Sequence, residues 1–212
     1  MSHKQIIENL RNAKVEQYQP IHALPEITSD GRQNAFKTRI EHLIGFCKPL
    51  EDKRFLDLGC SMGWNLFELI LNGATGGVGV DLDQNAINIC KALAKEYKMS
   101  RKTKFYKSWV KEYVSSYNSE TDGVFDYVLM LNVFHHMHRL NGEDAWQTLI
   151  DIINWGKWVI FSGYDGCGLT YKQLPIELSK RGLTDFEVVE IWCGDSNLYN
   201  MGRGMFAVRK TK

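Results

Sequence analysis

The sequence predicts an α/β fold: a doubly wound, mostly parallel sheet with a C-terminal antiparallel hairpin and an N-terminal helical extension. Three observations carry this. From residue 54 onward, short apolar runs alternate with segments of helical period, the pattern of a parallel sheet covered on both faces. Glycines punctuate the elements, as Gly59, Gly73 and Gly182 do. The last two apolar runs have no helix between them, only the turn-rich stretch 193–202, which brings the chain back antiparallel.

The elements follow in order. Ile6, Ile7, Leu10 and Val15 recur at roughly helical spacing, so a short amphipathic helix is expected over 3–17. Pro20 and Pro25 make 18–25 an extended connection. Ile40, Leu43, Ile44 and Cys47 give a second helix over 32–47. Strands are expected at 54–58, 77–81, 103–109, 125–131 and 157–162. Helices are expected at 64–72, 84–97, 142–155 and 174–181, the second of these capped by Asp83. Strands at 186–192 and 204–208 close the chain. The 212 residues suit one domain over 1–212, with 1–50 as a helical extension or lid and 51–212 as the core.

Composition narrows the function classes. Lys plus Arg number 26 against 25 Asp plus Glu, and this balance argues against a dedicated nucleic-acid binder. The longest basic run, Arg101 to Lys104, reads as a solvated helix–strand loop. The five cysteines (47, 60, 90, 167 and 193) are odd in number and form no CxxC pair. They suggest neither a zinc site nor a disulfide framework, but free thiols in a reducing compartment. The N-terminus has no signal-type run, and no stretch approaches the ~20 apolar residues that cross a bilayer. The expectation is a cytoplasmic protein without a membrane partner.

Three segments could carry chemistry. Asp57-Leu-Gly-Cys-Ser-Met-Gly63 joins a buried strand to a helix, where open parallel sheets bind ligands. Glycine there admits a ligand to the backbone, although a tight structural turn would look the same. Cys60 reads as a small packing residue rather than a nucleophile. Asp81 ends the next strand, 22 residues after Gly59. A carboxylate at this position can accept hydrogen bonds from both hydroxyls of a ribose. Its other reading, a helix N-cap, suits Asp83 better. Together the two segments specify a nucleoside-containing ligand and leave NAD and S-adenosylmethionine open. The Gly-x-Gly-x-x-Gly spacing of NAD proteins is absent, and Ser61-Met62 offers a pyrophosphate little glycine.

The third segment is Asn132-Val-Phe-His135-His136-Met-His138, after the fourth core strand. An imidazole there could take a proton from a hydroxyl nucleophile. No second ligand cluster at recognised spacing accompanies the histidines, which disfavours zinc. His135 is the better candidate to face substrate, while His136 equally suits a role in shaping the loop. Tyr164-Asp165-Gly166 and Arg203 are weaker candidates for substrate contact, with a turn and a surface charge as their plain readings.

Asp57-x-Gly59-x-x-x-Gly63, Asp81 and Asn132–Met137 resemble the class I S-adenosylmethionine-dependent methyltransferases, from about residue 54 to the C-terminus. The resemblance implies a Rossmann-like sheet with S-adenosylmethionine as cofactor. Gly59 with Cys60, Ser61 and Gly63 would flank its methionine part, and Asp81 would hold the ribose. Leu82 would pack on the adenine, and Ser108-Trp109 would border it, although Trp109 also suits simple edge packing. Ser61 departs from the family's frequent middle glycine but keeps a small side chain. Tyr18-Gln19-Pro20-Ile21-His22, followed by Arg32 and Arg39, is similar to methyltransferase domains of bacterial cell-surface polysaccharide clusters, notably the O-antigen chain-terminating enzymes. That likeness implies that Tyr18, Gln19 and Arg39 close the site from above. Arg39 would fork onto the cofactor carboxylate, and the alternative makes it a solvated helix residue.

The expected function is methyl transfer to a small-molecule or sugar-type acceptor, with glycan assembly as one setting. The alternatives are an RNA or protein methyltransferase and an inactive cofactor-binding partner subunit.

Overall fold

The computed structural model describes Gln5, Glu8 and residues 30–155, 157–162, 169–193 and 204–211. Most of the helix expected over 3–17, the connection 18–25 with Tyr18, Gln19 and His22, the segment Tyr164 to Gly166, and Arg203 lie outside the described residues. The chain divides into two compact units, Met1–Val110 and Lys111–Lys212.

In the first unit, helix α1 (Asp30–Cys47) buries Phe36, Arg39, Ile40, Leu43 and Cys47. These lie at i, i+3, i+4, i+7 and i+11, the single stripe that an amphipathic helix presents to a core. A parallel sheet of strand order β3-β2-β1 follows, built from β1 (Arg54–Leu58), β2 (Gly76–Asp81) and β3 (Thr103–Lys107). Helix α2 (Trp64–Leu71) crosses from β1 to β2, and α3 (Gln84–Glu96) crosses from β2 to β3. Asp83 caps α3 as expected, its side chain accepting from Asn85 N at 2.8 Å. The third strand stops at Lys107 rather than 109, with Ser108 N still donating to Asp81 O at 3.0 Å just past its end.

In the second unit, α4 (Val110–Ser116), continuing from the unit boundary, and the short α5 (Ser119–Asp122) precede β4 (Tyr127–Met130). Helices α6 (Phe134–Asn141) and α7 (Glu143–Asn154) lead to β5 (Trp158–Ser162), which pairs parallel with β4. Helix α8 (Leu174–Lys180) precedes β6 (Phe186–Trp192) and β7 (Met205–Lys210). β7 lies antiparallel between β5 and β6, the expected C-terminal finish. Arg181, just past α8, stacks 4.4 Å from the Trp146 ring and bonds Glu143 at 2.8 and 2.9 Å, tying α8 to α7. The segment after β4 corrects the sequence reading, which made 132–138 a loop: from Phe134 it is helical.

Candidate functional site

In the first unit the chain leaves β1 through a loop with three left-handed backbone positions: Gly59 (φ 77°), Ser61 (φ 47°) and Gly63 (φ 79°). Gly59 N and Cys60 N both donate to Val80 O, at 2.8 and 3.0 Å, so the loop is stitched to the end of β2. Gly63 is required by packing, since a Cβ there would lie 2.9 Å from the Phe67 ring and 3.1 Å from Cys90 Sγ. Its absence of side chain therefore serves the protein's own close approach of α2, α3 and β3, not ligand access alone.

Asp81 receives this loop. Ser61 N donates to its Oδ2 at 2.7 Å and Asp83 N to its Oδ1 at 2.9 Å. Two backbone donors fix the carboxylate plane, and each oxygen keeps a lone pair to accept from a further donor. Leu82 and Trp109, directly after β2 and after Ser108, are both 44% exposed although large and apolar. Exposed apolar surface beside an oriented acceptor suits a flat, partly apolar ligand with hydroxyl donors. Ser108 Oγ bonds Trp109 O at 3.0 Å, within its own turn.

Beneath the loop lies a buried polar group that sequence reasoning only half found. Asp57 is 1% exposed and accepts from Asn65 Nδ2 at 3.2 Å. Burial pushes its carboxyl up to about 7; the Asn65 bond and the Arg39 charge pull it down, while the Asp81 charge adds to the rise. Arg39 is 4% exposed and stands 4.5 Å over the Phe36 ring, so it is not the solvated helix residue of the alternative reading. Asn65 was missed; its signal was a polar residue on the first turn of a helix otherwise apolar on that face. Cys60 is fully buried, and burial followed by the neighbouring Cys90 raises its thiol, consistent with a packing role. Cys90, also missed, donates to Ser61 O at 3.2 Å and holds the loop from below.

In the second unit, Asn132 takes a left-handed φ of 61° at the exit of β4 and launches α6. His135 is half-buried and His136 exposed, their rings 4.1 Å apart. Arg139 Nη2 lies 3.4 Å from His136 Nδ1; as guanidinium only donates, this contact leaves Nδ1 the acceptor. His138 packs beside the Phe134–Trp146 pair, at 6.1 and 6.5 Å between ring centroids, which makes it part of the α6–α7 contact.

The site is a strand-end carboxylate held by a Gly-x-x-x-Gly loop in an α/β fold, and residues 55–156 match the model of the methyltransferase domain. The fold is the Rossmann-like one of S-adenosylmethionine methyltransferases: the chain superposes on magnesium protoporphyrin IX methyltransferase of Synechocystis, solved with that cofactor bound, with a TM-score of 0.61 over 99% of this chain and 98% of that one at 15% identity. Among particular relatives, the O-antigen chain terminator bifunctional methyltransferase/kinase WbdD of Escherichia coli is 37% identical over 95 residues, 45% of this chain and 13% of that protein. A WbdD crystal structure superposes with a TM-score of 0.70 at 26% identity, covering 96% of this chain and 47% of that chain. This chain thus spans less than half of the WbdD it resembles. The [4+2]-cyclase SpnF also shares the fold, with a TM-score of 0.62 at 14% identity over 87% of this chain and 85% of that one.

Proposed function

We propose that the chain transfers a methyl group from S-adenosylmethionine to a small-molecule or sugar-type acceptor in surface-glycan assembly, and that 1–212 acts as one methyltransferase domain. The observation that carries the reading is Asp81, its two oxygens oriented by Ser61 N and Asp83 N, with Leu82 and Trp109 exposed after the ends of β2 and β3. In this reading Asp81 accepts from the ribose hydroxyls, and Leu82 with Ser108 and Trp109 borders the adenine. Gly59, Cys60, Ser61 and Gly63 line the methionine part with Asp57 behind them, joined by Asn132. Tyr18, Gln19 and Arg39 close the site from above, and Arg39 forks onto the cofactor carboxylate. The cofactor supplies an electrophilic sulfonium methyl, so the protein's contribution is alignment of the acceptor and exclusion of water. His135 takes the proton from a hydroxyl acceptor, and His136 supports it.

The family model, which runs across the junction of the two units, supports a single methyltransferase domain. The likeness to WbdD supports a glycan-type acceptor. A second reading, cofactor binding without methyl transfer, draws on the shared fold of a cyclase. The test combines calorimetry with radiolabelled methyl incorporation into sugar, small-molecule and RNA acceptors. Asp81→Ala should weaken S-adenosylmethionine binding by about 10-fold or more, since hydrogen bonds to a charged group contribute roughly 1.5–3 kcal/mol. Unchanged affinity rejects the ribose assignment. Tight binding with no labelled product from any acceptor favours the second reading, and label in RNA alone removes the glycan assignment.

A further inference from the structure

The near-zero net charge of the chain conceals a strong asymmetry. Residues 91–107 carry seven cations (Lys91, Lys95, Lys98, Arg101, Lys102, Lys104 and Lys107) against one anion, Glu96. The rest of the chain is left with 19 cations against 24 anions, a net −5. All seven cations are exposed. They also share one region of the first unit. Lys91 and Lys95 stand one turn apart on the outer side of α3, whose inner side buries Ile87, Cys90, Leu93 and Ala94. Lys98, Arg101 and Lys102 occupy the turn from α3 to β3, held by Met99 N to Ala94 O at 2.7 Å and Lys102 N to Met99 O at 2.8 Å. Lys104 and Tyr106 are exposed on one face of β3, the edge strand of that unit's sheet, and Lys107 is exposed on the other. The basic run read from sequence as a solvated loop is therefore the middle of a larger cationic patch.

We propose that this α3–β3 edge is a docking surface for an anionic phospholipid bilayer, which the chain contacts peripherally. Charge complementarity carries the choice. Clusters of four to eight Lys or Arg bind anionic headgroups through summed, nonspecific attraction. Six of the seven cations are lysine, a point charge suited to a diffuse anionic plane, whereas nucleic-acid recognition favours the bidentate fork of arginine. Tyr106 adds an amphipathic ring of the type that settles at headgroup level. No described helix is long and apolar enough to cross a membrane, so the contact lies on the surface. The patch is built without any residue assigned above to cofactor or acceptor, and the proposal stands apart from the methyl-transfer reading.

The experiment is flotation of the full chain with vesicles of phosphatidylcholine alone, and with vesicles in which about one third is replaced by phosphatidylglycerol. The mixed vesicles should bind about 10-fold more protein or better, and raising salt from about 0.1 to about 0.5 M should release it. The triple variant Lys95→Glu/Arg101→Glu/Lys102→Glu should lose this binding while keeping its far-ultraviolet circular dichroism and melting temperature. The milder variant with glutamine at the same three positions should fall between. Absence of binding to the mixed vesicles overturns the proposal, as does binding that the folded triple variant retains. Binding of a mixed-sequence RNA oligonucleotide that the triple variant loses, without vesicle binding, overturns it too and reassigns the patch to nucleic acid.

Discussion

Asp57 and Asp81 lie near the ends of the paired strands β1 and β2, yet their surroundings set them to different tasks. Asp81 is half-exposed with backbone donors on both oxygens, so it presents an oriented anion. Asp57 is enclosed, and its carboxyl rises from 3.8 to about 7 through burial above all. A folded-state value above the unfolded one means that the folded chain holds the proton more tightly. That contribution to stability is complete below pH 3.8 and is lost as pH rises through about 7. The melting temperature should therefore fall as pH rises from about 4 to about 7 and level off above that, and Asp57→Asn, which keeps the shape without the charge, should flatten that fall. A variant whose profile parallels the parent's shows that Asp57 does not titrate there. At the acceptor end, His135→Ala should lower turnover while leaving S-adenosylmethionine affinity unchanged by calorimetry. Equal loss of both makes His135 a structural residue.

At the scale of elements, the β1–α2 loop shows why a glycine read from sequence can be right in place and incomplete in reason. Gly59 and Gly63 were expected to open the backbone to a ligand. The structure adds that Gly63, at φ 79°, sits against Phe67, Cys90 and Phe105. Gly63→Ala should cost about 1–3 kcal/mol from the crowded methyl, and more if the left-handed backbone shifts. Thermal unfolding should register several degrees of loss, at about 2–4 °C per kcal/mol for a chain of this size. An unchanged midpoint would show that the loop relaxes freely around the new methyl. The elements that were legible share a strong local signature: Asp83 before a helix-period run, or an apolar strand stopped by glycine. Helix α6 was not legible for physical reasons. It buries only Phe134 and Met137, begins at Val133 without a side-chain cap, and follows the strained Asn132. Arg39 was named as a candidate, but its burial was not legible, because a charged residue on an apolar stripe looks like an interruption until its burial is seen.

For the whole molecule, the alternation of strands and helices was enough to foresee the parallel core and its antiparallel finish, since both follow from period and connection length. The charge asymmetry was present in the sequence as well, but a chain total of +1 averaged it away. Whether 1–212 behaves as one domain has a thermodynamic signature. Most residues assigned to the cofactor belong to Met1–Val110, while Asn132, His135 and His136 belong to Lys111–Lys212. If the chain unfolds as one cooperative unit, differential scanning calorimetry should give a single transition whose calorimetric and van't Hoff enthalpies agree. S-adenosylmethionine at 100 times its Kd should then stabilise the entire chain by about 2.7 kcal/mol, moving that one transition up by roughly 5–10 °C. Asp81→Ala, if it weakens binding about 10-fold, should lose about half of the shift at the same cofactor concentration, and more if the weakening is greater. Two transitions, of which the cofactor moves only one, would instead make the units thermodynamically separate and refute the single-domain proposal.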